Sequence, residues 1–184
     1  MTTLNRRTLI AAGAASLALP AGAQTRVEAH RPPRLVQLGT SLTPGTIHVV
    51  PDDFALYLAL PDNQAILYHV GVAAPGRWRT GTFTIARKVE WPRWTPTAGM
   101  LRREPALYRP WANGIPGGHP RNPMGACALY LYDGSRDTLL RIHGSPPNRR
   151  VTGRYLSNGC VQMLNAEALD LYNRVPVGTR VRLR

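Results

Sequence analysis

Three β-branched or aromatic runs follow one another at hairpin spacing, and this most constrains the fold. They are Thr46 to Val50, Phe54 to Leu60 and Ala65 to Val72. Pro51-Asp52-Asp53 and Pro61-Asp62-Asn63 separate them. Proline pre-sets the backbone for a turn, and Asp and Asn tolerate turn conformations, so the stretch reads as a meander. Thr82 to Val89 alternates as a further half-buried strand, and Ala126 to Tyr132 and Thr138 to His143 are strand-like. Asn165 then opens a helix, with Glu167 in its first turn and Leu164, Ala168, Leu171 and Val175 along one face. Pro176 and Gly178 end that helix, and Thr179 to Leu183 alternates as a closing strand. The expectation is a mainly β domain with one clear helix and no internal repeat.

Between Trp91 and Pro123 the regularity stops. This stretch takes a large share of the 17 prolines and 17 glycines and holds Trp91, Trp94 and Trp111, three of the four tryptophans. Long loops are either functional lids or excursions pinned by their own aromatics, and both readings are open here. The tryptophans themselves read as core, with a platform for a ligand as the other reading.

The first 23 residues read as an export signal. Asn5-Arg6-Arg7-Thr8-Leu9-Ile10 is a twin-arginine n-region, Leu9 to Leu19 an apolar core too short to span a bilayer, and Ala21-Gly22-Ala23 a small-residue cleavage site. A plain secretory route and an uncleaved anchor are the alternatives. No cysteine follows the signal, which speaks against a lipoprotein. Residues 24–44 are expected to be a flexible leader and 45–184 the folded domain, in the periplasm or cell envelope with no membrane span after signal removal. With Arg6 and Arg7 removed, 21 basic and 10 acidic side chains leave a charge of +11. That balance suits a polyanionic wall or membrane surface. The arginines form no dense run and no nucleic-acid-binding motif, so nucleic acid is not an expected partner.

An exported chain has a cysteine, Cys160, preceded by Gly159, and a histidine, His143, at the end of a strand-like run. A thiolate needs a nearby base, and the oxyanion it creates needs donors. Glycine permits a tight turn and a close backbone approach, and amides around Gly159 and Cys160 are candidate oxyanion donors. The bland readings are an inert thiol or a disulfide to Cys127, the default for two cysteines outside the cytoplasm. Cys127 sits in Gly125-Ala126-Cys127-Ala128-Leu129 and reads instead as a small core residue. His119 either lines a groove or is a solvated loop residue; His30, His48 and His69 read as structural or exposed. The chain has no H-E-x-x-H and no C-x-x-C, so no zinc site is expected.

The run His143-Gly144-Ser145 followed by Ser157-Asn158-Gly159-Cys160-Val161 resembles the signature of the YkuD-type L,D-transpeptidases. Thr80-Gly81-Thr82-Phe83, Trp91-Pro92-Arg93-Trp94, Asn122-Pro123-Met124-Gly125 and Val175-Pro176-Val177-Gly178-Thr179 resemble further elements of that family in its order. The resemblance implies a β-sandwich catalytic domain with a lid loop, acting on peptidoglycan stem peptides. It implies Cys160 as nucleophile, His143 as base, and a pocket shaped by Gly144, Ser157, Asn158, Gly159 and Gln162, with His119 and Asn122 as groove candidates. The thioester route implied needs no metal or organic cofactor, and carbapenem-type β-lactams are expected to acylate Cys160. Two residues depart from the family pattern: Gln162 stands where arginine is usual, and Asn158 where histidine is frequent. Glutamine keeps hydrogen bonding but loses the charge. Three functions are therefore weighed: transpeptidation, release to water or of a wall-attached lipoprotein on the same fold, and a decayed wall-binding module.

Overall fold

The computed structural model describes residues 32–146 and 149–184. The expected signal and the first part of the leader lie outside the described residues. Among the described residues no helix is long and apolar enough to cross a membrane.

The meander forms as expected. Strands β2 (Ile47–Val50), β3 (Ala55–Ala59) and β4 (Gln64–His69) pair antiparallel in succession. Asp62 and Asn63 both take positive φ, 58° and 56°, in the turn between β3 and β4. Short polar side chains bear that conformation at least cost after glycine. The leader is not wholly outside the fold: β1 (Arg34–Gln37) pairs antiparallel with β4. Its three exposed positions hid it from a reading that looks for burial, because an edge strand needs backbone partners rather than an apolar face.

After the two-residue β5 (Val72–Ala73), the ten-residue β6 (Gly81–Glu90) buries Phe83 and Ile85. The stretch after Trp91 is not irregular throughout. It holds α1 (Ala98–Arg103), α2 (Pro105–Tyr108) and a 3-10 turn (Arg109–Trp111), none with a buried residue. Trp91 is 54% exposed and Trp94 and Trp111 are half-buried, so the tryptophans are not core. These helices are too short for an apolar period to show in sequence.

Strands β7 (Cys127–Asp133) and β8 (Arg136–His143) form a hairpin; β9 (Tyr155–Ser157) and β10 (Val161–Gln162) follow, then α3 (Asn165–Arg174) and β11 (Arg180–Leu183). One nine-stranded mixed sheet runs β1-β4-β3-β2-β11-β6-β7-β8-β10, with β5 and β9 as a separate parallel pair. The large sheet curls so that its β4 side meets β10: Gly71, just past β4, and Gln162 on β10 exchange backbone hydrogen bonds of 2.8 Å each way. A Cβ at Gly71 would lie 2.3 Å from the Val151 carbonyl oxygen, so only glycine lets the loop at Val151 pack this closely. The single core between the facing halves includes Ile47, Leu56, Tyr68, Ile85, Leu129, Leu131, Ile142 and Met163. Helix α3 closes it with Ala168 and Leu171. Tyr68, fully buried on β4, donates through its hydroxyl to Asp170 of α3 at 2.6 Å. From β6, the Lys88 ammonium donates to the Tyr172 and Val175 carbonyls at the end of that helix, a cation at the negative end of the helix dipole.

Candidate functional site

β10 lies parallel to the end of β8, with Val161 opposite Ile142 and Gln162 opposite His143. Cys160 immediately precedes β10, so alternation puts it on the face that carries Gln162, His143 and Arg141. Strand spacing and rise separate the Cys160 and His143 Cα atoms by roughly 8 Å, one strand across and two residues along.

His143 is 3% exposed and held from several sides. Its Nδ1 lies 2.6 Å from the Gly144 carbonyl oxygen. A carbonyl only accepts, so Nδ1 is assigned the proton and Nε2 keeps the basic lone pair. The turn after it is fastened at four points. Gly144 N donates to Cys127 O, Met163 N to His143 O, and Ser145 Oγ to Met163 O. The Asn165 Oδ1 accepts from both Ala126 N (2.9 Å) and Ser145 N (3.0 Å). That oxygen sits where Cβ atoms of Gly125 and Gly144 would be, 2.3 Å from each. Asn165 therefore does not cap α3, whose N-cap is Leu164, but ties two loops around the histidine.

Burial lowers the His143 pKa to about 4; the Gly144 carbonyl opposes this and the charges of Arg149 and Arg141 reinforce it. Cys160 is half-buried, and desolvation raises its thiol above the ordinary value, opposed by the Arg141 amide and guanidinium. Both groups are thus neutral at pH 7, a thiol and a free imidazole rather than a preformed ion pair. The sulfur donates weakly to the Leu139 carbonyl at 3.9 Å, and no hydrogen bond joins it to His143. Leu139 is 59% exposed with φ of 64°, a conformation costly for leucine and tolerated where β8 bulges against β7.

The turn carrying Cys160 is built from Ser157. Its hydroxyl donates to Cys160 O at 2.6 Å and accepts from Gly159 N at 3.2 Å. The Gly159 amide is therefore engaged, which leaves the Cys160 amide as the turn's better oxyanion candidate. Gly159 has φ of 141°, and a Cβ there would lie 3.1 Å from Leu140. Asn158 stands at the rim among Arg77, Arg103 and Tyr108. Gln162 is 5% exposed, and its Oε1 is buried with no hydrogen-bond partner among the described residues.

The two groove candidates are placed differently. Asn122 is 3% exposed and saturated by its own loop: its amide nitrogen donates to Pro92, Ile115 and Pro116 carbonyls, and its oxygen accepts from Met124 N. It pins its own loop. His119 is exposed, accepting from Arg121 N at 3.1 Å. Cys127 is unpaired and 1% exposed, its thiol pushed up to about 12, first by burial. Among the described residues no group of three or more His, Cys, Asp or Glu is placed to hold a metal. A cavity of about 580 Å³ lies elsewhere, on Thr80, Gly81, Arg182, Leu183 and Arg184.

Fold and site together define a mainly β domain that sets a rim cysteine beside a buried histidine on adjacent parallel strands. Residues 44–183 match the YkuD family, the L,D-transpeptidase catalytic domain, and the chain belongs to that family. It is 32% identical to a putative L,D-transpeptidase of Fuscovulum blasticum over 98% of each chain. It is 34% identical to the probable L,D-transpeptidase ErfK/SrfK of Escherichia coli K12, over 71% of this chain and 41% of that protein. The chain thus spans about two-fifths of that relative's length. Among solved structures, a Brucella melitensis protein named a probable carnitine operon oxidoreductase is 41% identical, with a TM-score of 0.60 over 83% of this chain and 93% of that one. The catalytic domain of an Enterococcus faecium L,D-transpeptidase acylated by ertapenem shares the fold, at 17% identity and a TM-score of 0.53, over 79% of this chain and 100% of that one.

Proposed function

We propose that the protein is a peptidoglycan L,D-transpeptidase of the cell envelope that works through a thioester on Cys160. The observation that carries this reading is the pairing of a half-buried, unpaired cysteine with a buried, neutral imidazole whose Nδ1 is already committed to the Gly144 carbonyl. That arrangement leaves Nε2 to take the thiol proton as the sulfur turns from Leu139 O toward it.

The thiolate attacks the carbonyl of the third stem residue of a donor tetrapeptide. A C–S bond forms, the oxyanion is met by the Cys160 amide, and His143 returns the proton to the departing D-alanine nitrogen as the C–N bond breaks. The side-chain amine of a second stem then attacks the thioester. Its nitrogen loses a proton to His143, a new C–N bond forms, and the thiol is released. With water as acceptor the same steps give a trimmed tripeptide. Export through the 1–23 signal would place the enzyme at this substrate, and the +11 charge of the remainder favours an anionic wall.

Mass spectrometry of tetrapeptide-rich muropeptides tests the reading, with the protein and with Cys160→Ala. Cross-linked dimers lacking D-alanine, absent with the variant, are the expected products, and monomeric tripeptides alone would replace transpeptidation by hydrolysis. Unchanged muropeptides in both samples would move the function to wall binding. A carbapenem should add its mass to the protein and leave Cys160→Ala unmodified.

A further inference from the structure

Two arginines from different parts of the chain converge on one neutral oxygen beside the nucleophile. Arg77, in the turn after β5, donates from Nη1 to the Asn158 Oδ1 at 2.5 Å. Arg103, the last residue of α1, donates from Nη2 to the same oxygen at 3.1 Å. The other end of the amide is fixed, because Asn158 Nδ2 donates to the Tyr108 hydroxyl at 3.2 Å and the Tyr108 ring packs against Trp94. Asn158 is two residues before Cys160. The Gly159 between them backs onto Arg77, whose carbonyl oxygen would lie 3.8 Å from a Cβ there.

The charges do not balance. Glu104 is the acidic partner, 3.6 Å from Arg77 with both side chains about two-fifths exposed. Such a pair is worth little in water. Arg149 adds a third positive charge close enough to bear on His143. A neutral amide oxygen is a poor acceptor for two guanidinium groups, whereas a carboxylate would form charge-assisted, bidentate bonds with them. The arginines arrive on flexible, half-exposed side chains, so an incoming anion can displace the amide oxygen without opening the core.

We propose that Arg77 and Arg103 form a carboxylate cradle for the acyl donor, in which a donor carboxylate takes the place that Asn158 Oδ1 holds. The cradle rests on the reading of Cys160 as the acylated nucleophile, and it makes the lid helices α1 and α2 part of donor recognition. The carboxylate comes either from the terminal D-alanine or from the side chain of the third stem residue.

The test compares alkylation of Cys160 by iodoacetate, an anion, and iodoacetamide, its neutral analogue, which requires no transpeptidase activity. Arg77→Gln and Arg103→Gln should each slow iodoacetate about tenfold relative to iodoacetamide, the value of one charge-assisted hydrogen bond. Arg103→Lys should recover part of the loss. Arg102→Gln removes the same charge from the same helix without touching Asn158 and should leave the ratio within about twofold, as expected of a screened surface charge. An equal effect from Arg102→Gln, or no change with Arg103→Gln, would overturn the cradle. With peptide donors, Arg103→Gln should raise KM about tenfold with kcat little changed. Amidating the donor's terminal carboxylate, or separately that of the third residue, identifies the source by abolishing the difference between wild type and variant; a difference surviving both amidations would also overturn it. A protein that turns over no donor, but whose alkylation ratio still responds to Arg77 and Arg103, would keep the anion cradle and discard the transpeptidase reading.

Discussion

His143 and Cys160 lie on the same face of the β8–β10 edge, two residues out of register, but are held by opposite means. The histidine is buried, and its turn is fastened by backbone hydrogen bonds, by Asn165 Oδ1 and by the empty space at Gly125 and Gly144. Little there can move without leaving a buried amide unpaired, which costs about 1–3 kcal/mol for each group. The cysteine turn has a rigid floor in Ser157 but a soft rim. Its neighbours Arg77 and Arg103 reach it over partly exposed side chains, from a loop and from a six-residue helix with no buried residue. His143 is thus pre-positioned by the fold, while the rim beside Cys160 is left able to exchange partners. In the proposed mechanism proton transfer tolerates little misplacement and donor binding requires movement, so the division would suit both tasks.

Breaking the rigid side should have the largest effect. Gly144→Ala puts a Cβ 2.3 Å from Asn165 Oδ1 and 3.0 Å from Ala126 N. The amide must withdraw from two backbone donors, and a loss of about 3 kcal/mol is expected in urea unfolding, with acyl transfer lost as well. A variant as stable as wild type would mean that the turn relaxes and the contrast is overdrawn.

The buried side should also carry the pH dependence. His143 binds its proton only near pH 4 in the fold but near 6.5 when unfolded. Between those values the unfolded chain holds the extra proton, so stability falls as pH drops from 6.5 to 4, by on the order of 3 kcal/mol. Glu167, 3% exposed in the first turn of α3, works the other way. Burial lifts its carboxyl from 4.5 to about 7, so the folded chain holds the extra proton and stability falls as pH rises through that range. The two slopes oppose each other where they overlap. The free energy of unfolding measured from pH 4.5 to 6.5 should therefore be nearly flat for wild type and should rise with pH for Glu167→Gln; equal profiles would remove Glu167 from the account, and a flat profile for the variant would remove His143.

The soft side should show the smallest effect on stability. Asn158→Ala breaks three half-exposed hydrogen bonds and should cost about 1 kcal/mol or less, with the thermal midpoint nearly unchanged. A loss as large as that of Gly144→Ala would place the rim with the rigid half.

Local chemistry in the chain was enough to specify the meander, the β7–β8 hairpin, α3 and the closing strand. Each of these repeats an apolar period or ends in a turn residue whose dihedral preference is intrinsic. It also marked His143 and Cys160, because a glycine-cysteine turn and a strand-end histidine are legible in order along the chain. Other features needed tertiary structure. β1 shows no apolar face, α1 and α2 are too short for a period, and Trp91, Trp94 and Trp111 carry apolar surface without saying which way it faces. Asn165 opens α3, as its place in the chain suggests, but that its side chain also ties the loops around His143 is visible only in three dimensions; the same holds for Asn122, which pins its own loop. Arg77, Arg103 and Asn158 are separated by 26 and 55 residues along the chain. Their meeting depends on β5 lying parallel to β9 and on α1 reaching across to the rim, contacts that no local preference encodes. Dihedral preference and apolar period act over a few residues and so can be read in order. Which polar side chains meet is decided only when the curled sheet closes and brings distant segments together.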